Sequence, residues 1–470
     1  MDRQNKSWLH NKLGDSSDGV LTLYAVVAAF ITYFAMYAFR KPFAAAAFEG
    51  AVWFGGEVSI KAVLASSQLI GYALSKIVGI KVCSELDHAK RGVFLVGIIL
   101  LAELSLLCFG LVPDDWKFIA IGINGLALGL VWGVVVTFLE GRKTSEIMLA
   151  GLSCAFIMAS GVVKDFGRAV MAGSEATWWH GTPVLSRYLV EWYGPVSEGW
   201  MPFVVGLHYL PVFVIAVILL KQLPAPNKLD IAERSERKTM SGAERGQFFT
   251  RFAGGICMLC FIYLFMTAYR DYRDTYQVEI FGLLGYEASA ENKSLLGNAE
   301  MIVAFAVTIG LGALYWLRHL FHQHGLVLVW GFMTLGMLAL GGGTLLYDSG
   351  MVSGFTWMVL TGVGVYLTYV PFGSVLFDQI IASTRFVGTA VFAIYLCDGV
   401  GYIGTVGLYF VGDLLFGEMN KLEFFHHFTH LLTVGGLLCL CGSYLYFRKC
   451  AMLGEMEAEV ESQKVLRAGE

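Results

Sequence analysis

Long runs of apolar residues recur along the whole chain, and short polar segments separate them. A run of about 20 such residues is long enough for a helix to cross a hydrocarbon core of about 30 Å. The pattern predicts about twelve membrane-spanning helices, so we expect an all-α polytopic membrane protein. The predicted spans are residues 20–47, 58–81, 91–112, 117–139, 146–171, 201–221, 248–272, 296–317, 325–347, 354–379, 386–411 and 428–447.

A polar stretch near the middle of the chain separates six predicted spans from the other six. We therefore expect an N-terminal half at residues 1–221, a cytoplasmic linker at 222–247, a C-terminal half at 248–450 and a cytoplasmic tail at 451–470. Lys and Arg concentrate in the linker and in the other segments predicted on the same side of the membrane. Because these residues favour the cytoplasmic side, both termini are predicted to be cytoplasmic.

The composition excludes a soluble protein. The chain of 470 residues has 56% hydrophobic and 15% charged residues, and its mean hydropathy is +0.63, whereas soluble domains carry about 25% charged residues. Its 55 glycines suit close helix packing in a bilayer. The 9 cysteines lie mostly in apolar runs, which favours packing over a metal or redox pair. We expect no cofactor, no metal and no nucleic-acid partner.

Two stretches about half a chain apart resemble each other. Residues 33–41 and 263–271 agree at five positions with a constant offset of 230 residues. This indicates two copies of one structural unit, each with an arginine at the end of its first helix, although two aromatic-rich helices can also agree by chance. Transporters built from two repeats commonly bind their substrate between the halves. The matched pairs are Tyr33/Tyr263, Met36/Met266, Ala38/Ala268, Phe39/Tyr269 and Arg40/Arg270.

Several ionisable residues fall inside predicted spans, where a charge costs about 2.5–3.5 kcal/mol on insertion scales. Such residues are functional candidates unless they lie near an interface. Arg40 and Lys41 have apolar residues on both sides, so we expect the helix to continue past them with both cations embedded. The alternative is that Arg40, Lys41 and Arg270 mark outer helix ends and extend to lipid headgroups. The other candidates are Lys76, Glu103, Lys164, Asp165, Arg168, Glu300 and Asp398.

The chemistry of these residues favours an anionic ligand. The planar guanidinium of arginine matches the paired oxygens of a carboxylate or phosphate. Arg40 and Arg270, facing each other, would therefore hold an oxyanion from both halves. Residues 270–274 carry charges of both signs, and we expect some of these charges to pair with one another.

Acidic residues and histidines near the predicted membrane surfaces leave alternatives open. Glu140 and Asp378 end the fourth and tenth spans at matching points, and either transport-linked ion pairs or ordinary helix-end interactions explain them. Two histidine clusters raise the alternative of a membrane enzyme. They are predicted on opposite faces of the bilayer and lack the carboxylates of a dimetal centre, so we predict no enzyme. The clusters are His319, His322 and His324, and His426, His427 and His430.

Four sequence motifs are similar to those of one known family. The motifs are Tyr33-x-Ala35-x-Tyr37-x-x-Arg40-Lys41-x-Phe43-Ala44, Tyr72-x-x-Ser75-Lys76, Arg270 with Asp274-x-Tyr276, and Gly399-x-Gly401-Tyr402-Ile403-Gly404. They resemble segments of the first, second, seventh and eleventh helices of the organophosphate:phosphate antiporters, within the major facilitator superfamily. The Trp and Pro that follow the seventh-helix arginine in that family are absent, Arg273 is extra, and the fifth span has no histidine. The chain therefore resembles a divergent member.

The resemblance implies twelve helices in two six-helix halves, a central cavity, and access that alternates between the two sides. We predict a monomeric, multi-pass secondary active transporter of the bacterial inner membrane, with the lipid bilayer and a small anionic solute, such as a phosphorylated metabolite, as its partners. Two alternatives stay open: a transporter-like solute sensor, and a proton-coupled carrier of a non-phosphorylated solute. The predicted substrate-binding residues are Arg40, Lys41, Arg270, Lys76, Tyr33, Tyr37 and Tyr72. The predicted coupling or gating residues are Asp165, Lys164, Glu300, Asp398, Asp274, Glu140 and Asp378.

Overall fold

The structure is a computed structural model, and all the named secondary-structure elements of the residues that it describes are helices. These are residues 7–87, 89–142, 144–173, 192, 195–226, 242–286, 294–321, 324–384, 390–416 and 419–468. They form fifteen α-helices and three short 3-10 helices.

The helices of the first part of the chain are α1 (Trp8–Gly14), α2 (Asp18–Arg40), α3 (Ile60–Glu85), α4 (Arg91–Leu111), α5 (Lys117–Leu139), α6 (Ser145–Ala172) and α7 (Met201–Leu220). Those of the second part are α8 (Gly242–Thr275), α9 (Gln277–Leu283), α10 (Leu295–Leu320), α11 (Gly325–Asp348), α12 (Gly354–Ser374), α13 (Leu376–Thr384), α14 (Ala390–Phe416) and α15 (Lys421–Ala468). The 3-10 helices are Pro42–Ala45, Trp53–Gly55 and Asp114–Trp116.

Eleven helices of the described chain are long and apolar enough to cross a membrane, namely α2 to α8, α10, α11, α12 and α15. Helix α14 adds a shorter apolar stretch at Leu396–Gly412, which corresponds to the predicted eleventh span. The prediction of an all-α polytopic protein with about twelve spans is confirmed. The last helix, α15, is unbroken for 48 residues, so it includes both the twelfth span and most of the predicted tail.

The first span ends earlier than its apolar pattern predicts. Helix α2 stops at Arg40, and Lys41 has φ −104° and ψ −12° before the 3-10 helix begins at Pro42. A residue that precedes proline is disfavoured in a helix, and proline itself has no N–H to continue the ladder. Arg40 and Lys41 are nevertheless only 7% and 5% exposed, so the protein itself buries them and they do not extend away from it towards headgroups.

The contacts divide the chain into two compact units, which are described separately below. Unit 1 contains Met1–Arg234, Tyr272–Thr308 and Val406–Leu422, and unit 2 contains Ser235–Asp271, Ile309–Thr405 and Glu423–Glu470. The boundaries of the two six-helix halves stay a prediction. Most of the predicted linker, residues 227–241, lies outside the described residues, as does His322.

Glycines let two helices of unit 1 approach closely. A Cβ atom on Gly71 of α3 would fall on the carbonyl oxygen of Gly122 of α5, and a Cβ atom on Gly125 would fall on the carbonyl oxygen of Gln68. Close approach through small residues is the common way for helices to pack in a bilayer. This contact places the polar side chains of α3 and α5 beside the end of α2.

Candidate functional site

Arg40 lies among aromatic rings in unit 1, in a group that we term the N-terminal cradle (Tyr33, Tyr37, Arg40, Tyr72 and Trp132). The guanidinium carbon of Arg40 is 4.4 Å from the ring centroid of Tyr72 and 5.5 Å from that of Tyr37. Its Nη1 donates to the hydroxyl of Tyr37 at 3.3 Å. Tyr33 completes the group, with its ring centroid 4.9 Å from that of Trp132. Cation–π contacts of this kind stabilise a desolvated arginine by about 2 kcal/mol or more.

Two amide side chains fix the backbone that carries Arg40. Gln68 donates to the carbonyl of Arg40 at 2.9 Å, and Asn124 donates to the carbonyl of Phe39 at 3.1 Å. Gln68 also donates to the side-chain oxygen of Asn124 at 3.0 Å. The last carbonyls of a helix have no partner within the helix. Side chains from α3 and α5 therefore satisfy the end of α2 and hold its arginine in position.

Lys76 joins this group from α3, one turn after Tyr72. Its Nζ is 5.5 Å from the centroid of the Tyr72 ring, and the hydroxyl of Tyr72 lies 3.5 Å from that of Tyr33. The structure thus brings together five of the residues predicted to bind substrate, namely Tyr33, Tyr37, Arg40, Tyr72 and Lys76.

Arg270 has a similar environment in unit 2, which we term the C-terminal cradle (Tyr263, Arg270, Tyr369 and Asp398). The guanidinium carbon of Arg270 is 4.3 Å from the ring centroid of Tyr369, and its Nη2 is 3.8 Å from Oδ1 of Asp271. The hydroxyl of Tyr263 contacts that of Tyr369 at 3.1 Å and donates to Asp398. The predicted pairing within residues 270–274 is therefore present, as Arg270 with Asp271.

The two cradles share one plan. In each, a tyrosine of the first helix of a sequence half lies seven residues before an arginine whose guanidinium covers a tyrosine ring. That first tyrosine packs on an aromatic residue of the fourth span of its half, Trp132 on α5 or Tyr369 on α12. The two cradles differ in the helix that carries the ring nearest the arginine. This ring belongs to α3 in unit 1 and to α12 in unit 2. Equivalent side-chain contacts support a structural repeat over chance similarity.

A group of buried ion pairs lies at the ends of α2, α6 and α8 that are predicted to face outwards. We term it the outer charge cluster, and it consists of Lys41, Ser160, Lys164, Arg273, Asp274, Gln277 and Glu300, all in unit 1. The carboxylate of Asp274 accepts from Lys41, from Ser160 and from Lys164, the last at 2.7 Å. Lys164 also donates to the Asp274 carbonyl at 2.8 Å and to Gln277 at 2.6 Å. Its ammonium group therefore has three oxygen acceptors, although the residue is 0% exposed.

A second ion pair continues the cluster from α8 to α10. Arg273 and Gln277 both donate to the same carboxylate oxygen of Glu300, each at 2.7 Å. Gln277 thus links the two ion pairs, because its oxygen accepts from Lys164 while its nitrogen donates to Glu300. The cluster connects the first and fifth spans with the seventh and eighth, so its contacts join helices from both halves of the sequence.

Asp165 supports the same contact between α6 and α10. Its carboxylate accepts from the backbone N–H of Gly297 at 2.5 Å and from Arg168 at 3.3 Å. A Cβ atom on Gly161 would collide with the carbonyl oxygen of Leu296, which shows how closely the two helices approach. In this structure, Asp165 of the fifth span therefore stabilises the contact between α6 and α10.

Glu140 and Asp378 lie apart from these groups. Glu140 caps the C-terminus of α5, and Asp378 is an exposed residue in the first turn of α13. An acidic residue in the first turn of a helix is stabilised by the helix dipole. Their predicted role in gating stays a prediction.

The structure adds site residues that the sequence analysis did not single out. Lys61 is 2% exposed, donates to the carbonyl of Ala44 at 3.1 Å and forms an ion pair with Glu279. In the sequence, Lys61 stands out only as a single lysine at the start of an apolar span. Trp132 and Tyr369 carried no such signal, because the chain has 34 Phe, 21 Tyr and 11 Trp.

A cavity of about 740 Å³ lies in unit 1. Its walls include Arg168 and Glu279, the partners of Asp165 and Lys61. Its other charged residues are Glu49, Glu57 and Lys421. The cavity therefore lies beside the Lys61–Glu279 pair, which joins α3 to α9, and beside the Asp165–Arg168 pair within α6.

The architecture is similar to that of solved membrane transporters. The nucleoside transporter NupG is 13% identical, with a TM-score of 0.56 over 91% of this chain and 99% of that chain. For a D-xylose-proton symporter the values are 12%, 0.55, 90% and 97%. For a bacterial homologue of the human lysosomal transporter Spinster, inward-facing and occupied, they are 12%, 0.51, 93% and 96%. The likeness shows the fold, and the predicted major facilitator fold is confirmed.

Sequence comparison identifies the family of the chain. No curated protein sequence matches the chain. One family model matches residues 42–450, which include the C-terminal cradle and every member of the outer charge cluster except Lys41. The chain therefore belongs to the family of unknown function DUF5690.

Proposed function

We propose that this protein is a secondary active transporter that moves a small anionic metabolite across the membrane by alternating access. The observation that carries the proposal is the repeated cradle, with one arginine over a tyrosine ring in each unit. A guanidinium that lies on a ring keeps its N–H donors in its own plane, where they match paired carboxylate or phosphate oxygens. Each repeat thus contributes one such group as a candidate ligand for an oxyanion.

The cations fall into two sets by the groups that they contact. Lys41 and Lys164 pair with Asp274, and Arg273 pairs with Glu300. We therefore assign these three cations to the outer charge cluster. We propose Arg40, Lys76 and Arg270 as anion ligands because each lies against a tyrosine ring of a cradle. A phosphorylated solute is in line with the resemblance to the organophosphate:phosphate antiporters.

The outer charge cluster is the proposed gate on the outer side. Opening that side would separate α2 and α6 from α8, α9 and α10, and Asp274 would then leave Lys41 and Lys164. A buried ion pair gains little over its hydrated ions, because the loss of hydration offsets the attraction. The pairs can therefore separate into water at a modest cost, as a gate that opens in every cycle requires.

The remaining parts of the proposal rest on similarity to other transporters. The solved structures of similar architecture are described as transporters and a symporter, which supports transport over catalysis. We assign the protein to the bacterial inner membrane as a monomer. Asp165, Glu300 and Asp398 are the carboxylates that proton coupling would use.

The test is ligand-induced thermal stabilisation of the detergent-purified protein. The panel contains phosphorylated sugars, glycerol phosphate, inorganic phosphate, carboxylates and neutral sugars. A ligand at 100 times its Kd stabilises the folded state by about 2.7 kcal/mol. We expect phosphorylated compounds to raise the unfolding temperature of the wild type and of the control Arg318→Lys, but not of Arg40→Lys or Arg270→Lys. Arg318 is a matched control because it lies on α10 and contacts Gln379, outside both cradles.

Two results would contradict the proposal. Stabilisation by neutral solutes alone would remove the anion chemistry, and an unchanged response in both cradle variants would remove the arginines from the site. Counterflow in proteoliposomes with the stabilising compound then separates transport from sensing, since a sensor would bind the compound without moving it.

A further inference from the structure

Three side chains that can bind a metal meet in unit 2, outside the cradles. Asp348 is the last residue of α11, and His426 and His430 lie one turn apart on α15. Nε2 of His426 is 2.5 Å from one carboxylate oxygen of Asp348, and Nε2 of His430 is 3.2 Å from the other. These histidines were predicted to bind no metal, because the set of carboxylates typical of a dimetal centre is not near them in the sequence. Asp348, 78 residues before His426, provides one.

The spacing of the three groups suits one ion. Residues four apart on a helix share a face, and the two imidazole centroids are 4.8 Å apart. The three ligand atoms lie within 4.8 Å of one another. Zinc bonds of about 2.0–2.1 Å in a tetrahedral site place ligand atoms roughly 3.4 Å apart. Small side-chain rotations would bring the three atoms to that separation.

The three side chains are partly exposed to solvent, and the buried ring of Trp357 packs near one of them. The side chains of Asp348, His426 and His430 are 36%, 27% and 37% exposed, so an ion can reach them from outside the protein. The ring of Trp357 lies 6.0 Å from that of His426. Trp357 itself is fully buried and donates its N–H to Thr344 at 2.9 Å. It therefore provides a fixed wall for one of the two imidazoles.

We propose that Asp348, His426 and His430 form a binding site for a divalent transition metal, with zinc as the ion tested. Two imidazoles and one carboxylate are typical zinc ligands, and three protein ligands leave the fourth position to water. The ion would tie the end of the ninth span to the start of the twelfth, on the side opposite the predicted cytoplasmic termini. Without a metal, the same atoms form only hydrogen-bonded His–Asp pairs, and the experiment separates these two states.

The experiment uses the full-length protein, purified without a histidine tag and treated with a chelator. Zinc chloride is added, free ions are removed, and the bound zinc is measured together with the unfolding temperature. We expect one zinc ion per chain and a higher unfolding temperature in the wild type and in His427→Gln. His427 is the matched control, since it adjoins His426 but does not belong to the three-residue group. His426→Gln and His430→Gln should lose at least about tenfold in affinity, and magnesium should produce no shift because imidazole suits softer metals.

X-ray absorption of the zinc-loaded wild type gives a second readout that needs no variant. We expect nitrogen and oxygen neighbours at about 2.0–2.2 Å and no sulfur. Sulfur neighbours at about 2.3 Å would place the ion on cysteines and overturn the proposal. The absence of stoichiometric zinc from the wild type would overturn it too, as would equal loss of binding in His427→Gln.

Discussion

Replacing Asp274 by Asn tests whether the outer charge cluster acts as a gate. Asp274 accepts from three side chains, Lys41, Ser160 and Lys164, and two of these donors are cations. Asparagine keeps the shape and one acceptor oxygen but removes the negative charge. Two ammonium groups would then remain in a site where Lys164 is 0% exposed.

The size of the effect follows from the burial of this pair. Removing one partner of a buried ion pair costs about 3–5 kcal/mol, because the other charge stays uncompensated. If Lys41 and Lys164 reach water when the outer side opens, only the closed state bears this cost. One power of ten corresponds to about 1.36 kcal/mol. The balance between closed and open should therefore move towards open by about two to four powers of ten.

Thiol labelling of Cys154 can measure this shift. Cys154 lies on α6, six residues before Ser160, and its sulfur is 2.7 Å from the hydroxyl of Thr308 on α10. It is buried in the closed contact between these helices. In a background without the other cysteines, a membrane-impermeant reagent added from outside should label Cys154 of Asp274→Asn at least about tenfold faster than in the wild type.

The comparison includes two controls. Asp114→Asn removes the partner of Lys117 in an ion pair whose carboxylate side chain is 68% exposed, so its effect should stay below about 1 kcal/mol. Adding Lys164→Met to Asp274→Asn removes one of the uncompensated charges and should restore slow labelling. A wild-type labelling rate in Asp274→Asn, or an equal increase in Asp114→Asn, would refute the gate.

Other substitutions test the packing around the site. Gly161→Val should lower the unfolding temperature strongly, because its Cβ would collide with α10 next to Glu300; an unchanged unfolding temperature would contradict this close approach. Asn124→Leu leaves the end of α2 with an unsatisfied carbonyl, at a cost of about 1–3 kcal/mol, and should weaken anion-induced stabilisation more than a surface change does. Trp357→Phe removes the hydrogen bond to Thr344 and should destabilise the protein by about 1 kcal/mol without altering anion binding; loss of anion binding would show that the effect is not local.

The spans and the two arginines could be predicted because the order of residues along the chain is enough to identify them. A run of apolar residues defines a span by its own length, and the repeat places Arg40 and Arg270 at equivalent positions. The end of α2 was also visible in the sequence, since Pro42 lies two residues after Arg40. The apolar residues beyond Pro42 concealed this signal. They form a buried 3-10 helix and not a continuation of the span.

The partners of the buried charges could not be predicted in the same way. Lys164 and Asp274 are 110 residues apart, and no spacing in the chain relates them. Gln277 is a neutral residue whose importance comes only from its position between two ion pairs. Such contacts depend on how helices pack, which hydrophobic patterns do not specify. For the same reason, the sequence alone did not show that Asp348, at the end of α11, lies beside His426 and His430 of α15.

The unbroken course of α15 has a practical consequence for imaging. A helix of 48 residues is about 72 Å long, well over twice the thickness of a hydrocarbon core. The candidate span ends at Leu453, and the helix continues to Ala468, about 22 Å further. A rigid protein joined in helical register to this extension would turn with the transmembrane part and not swing on a flexible linker. Such a fusion would give a small membrane protein the external mass that particle alignment in electron cryomicroscopy requires.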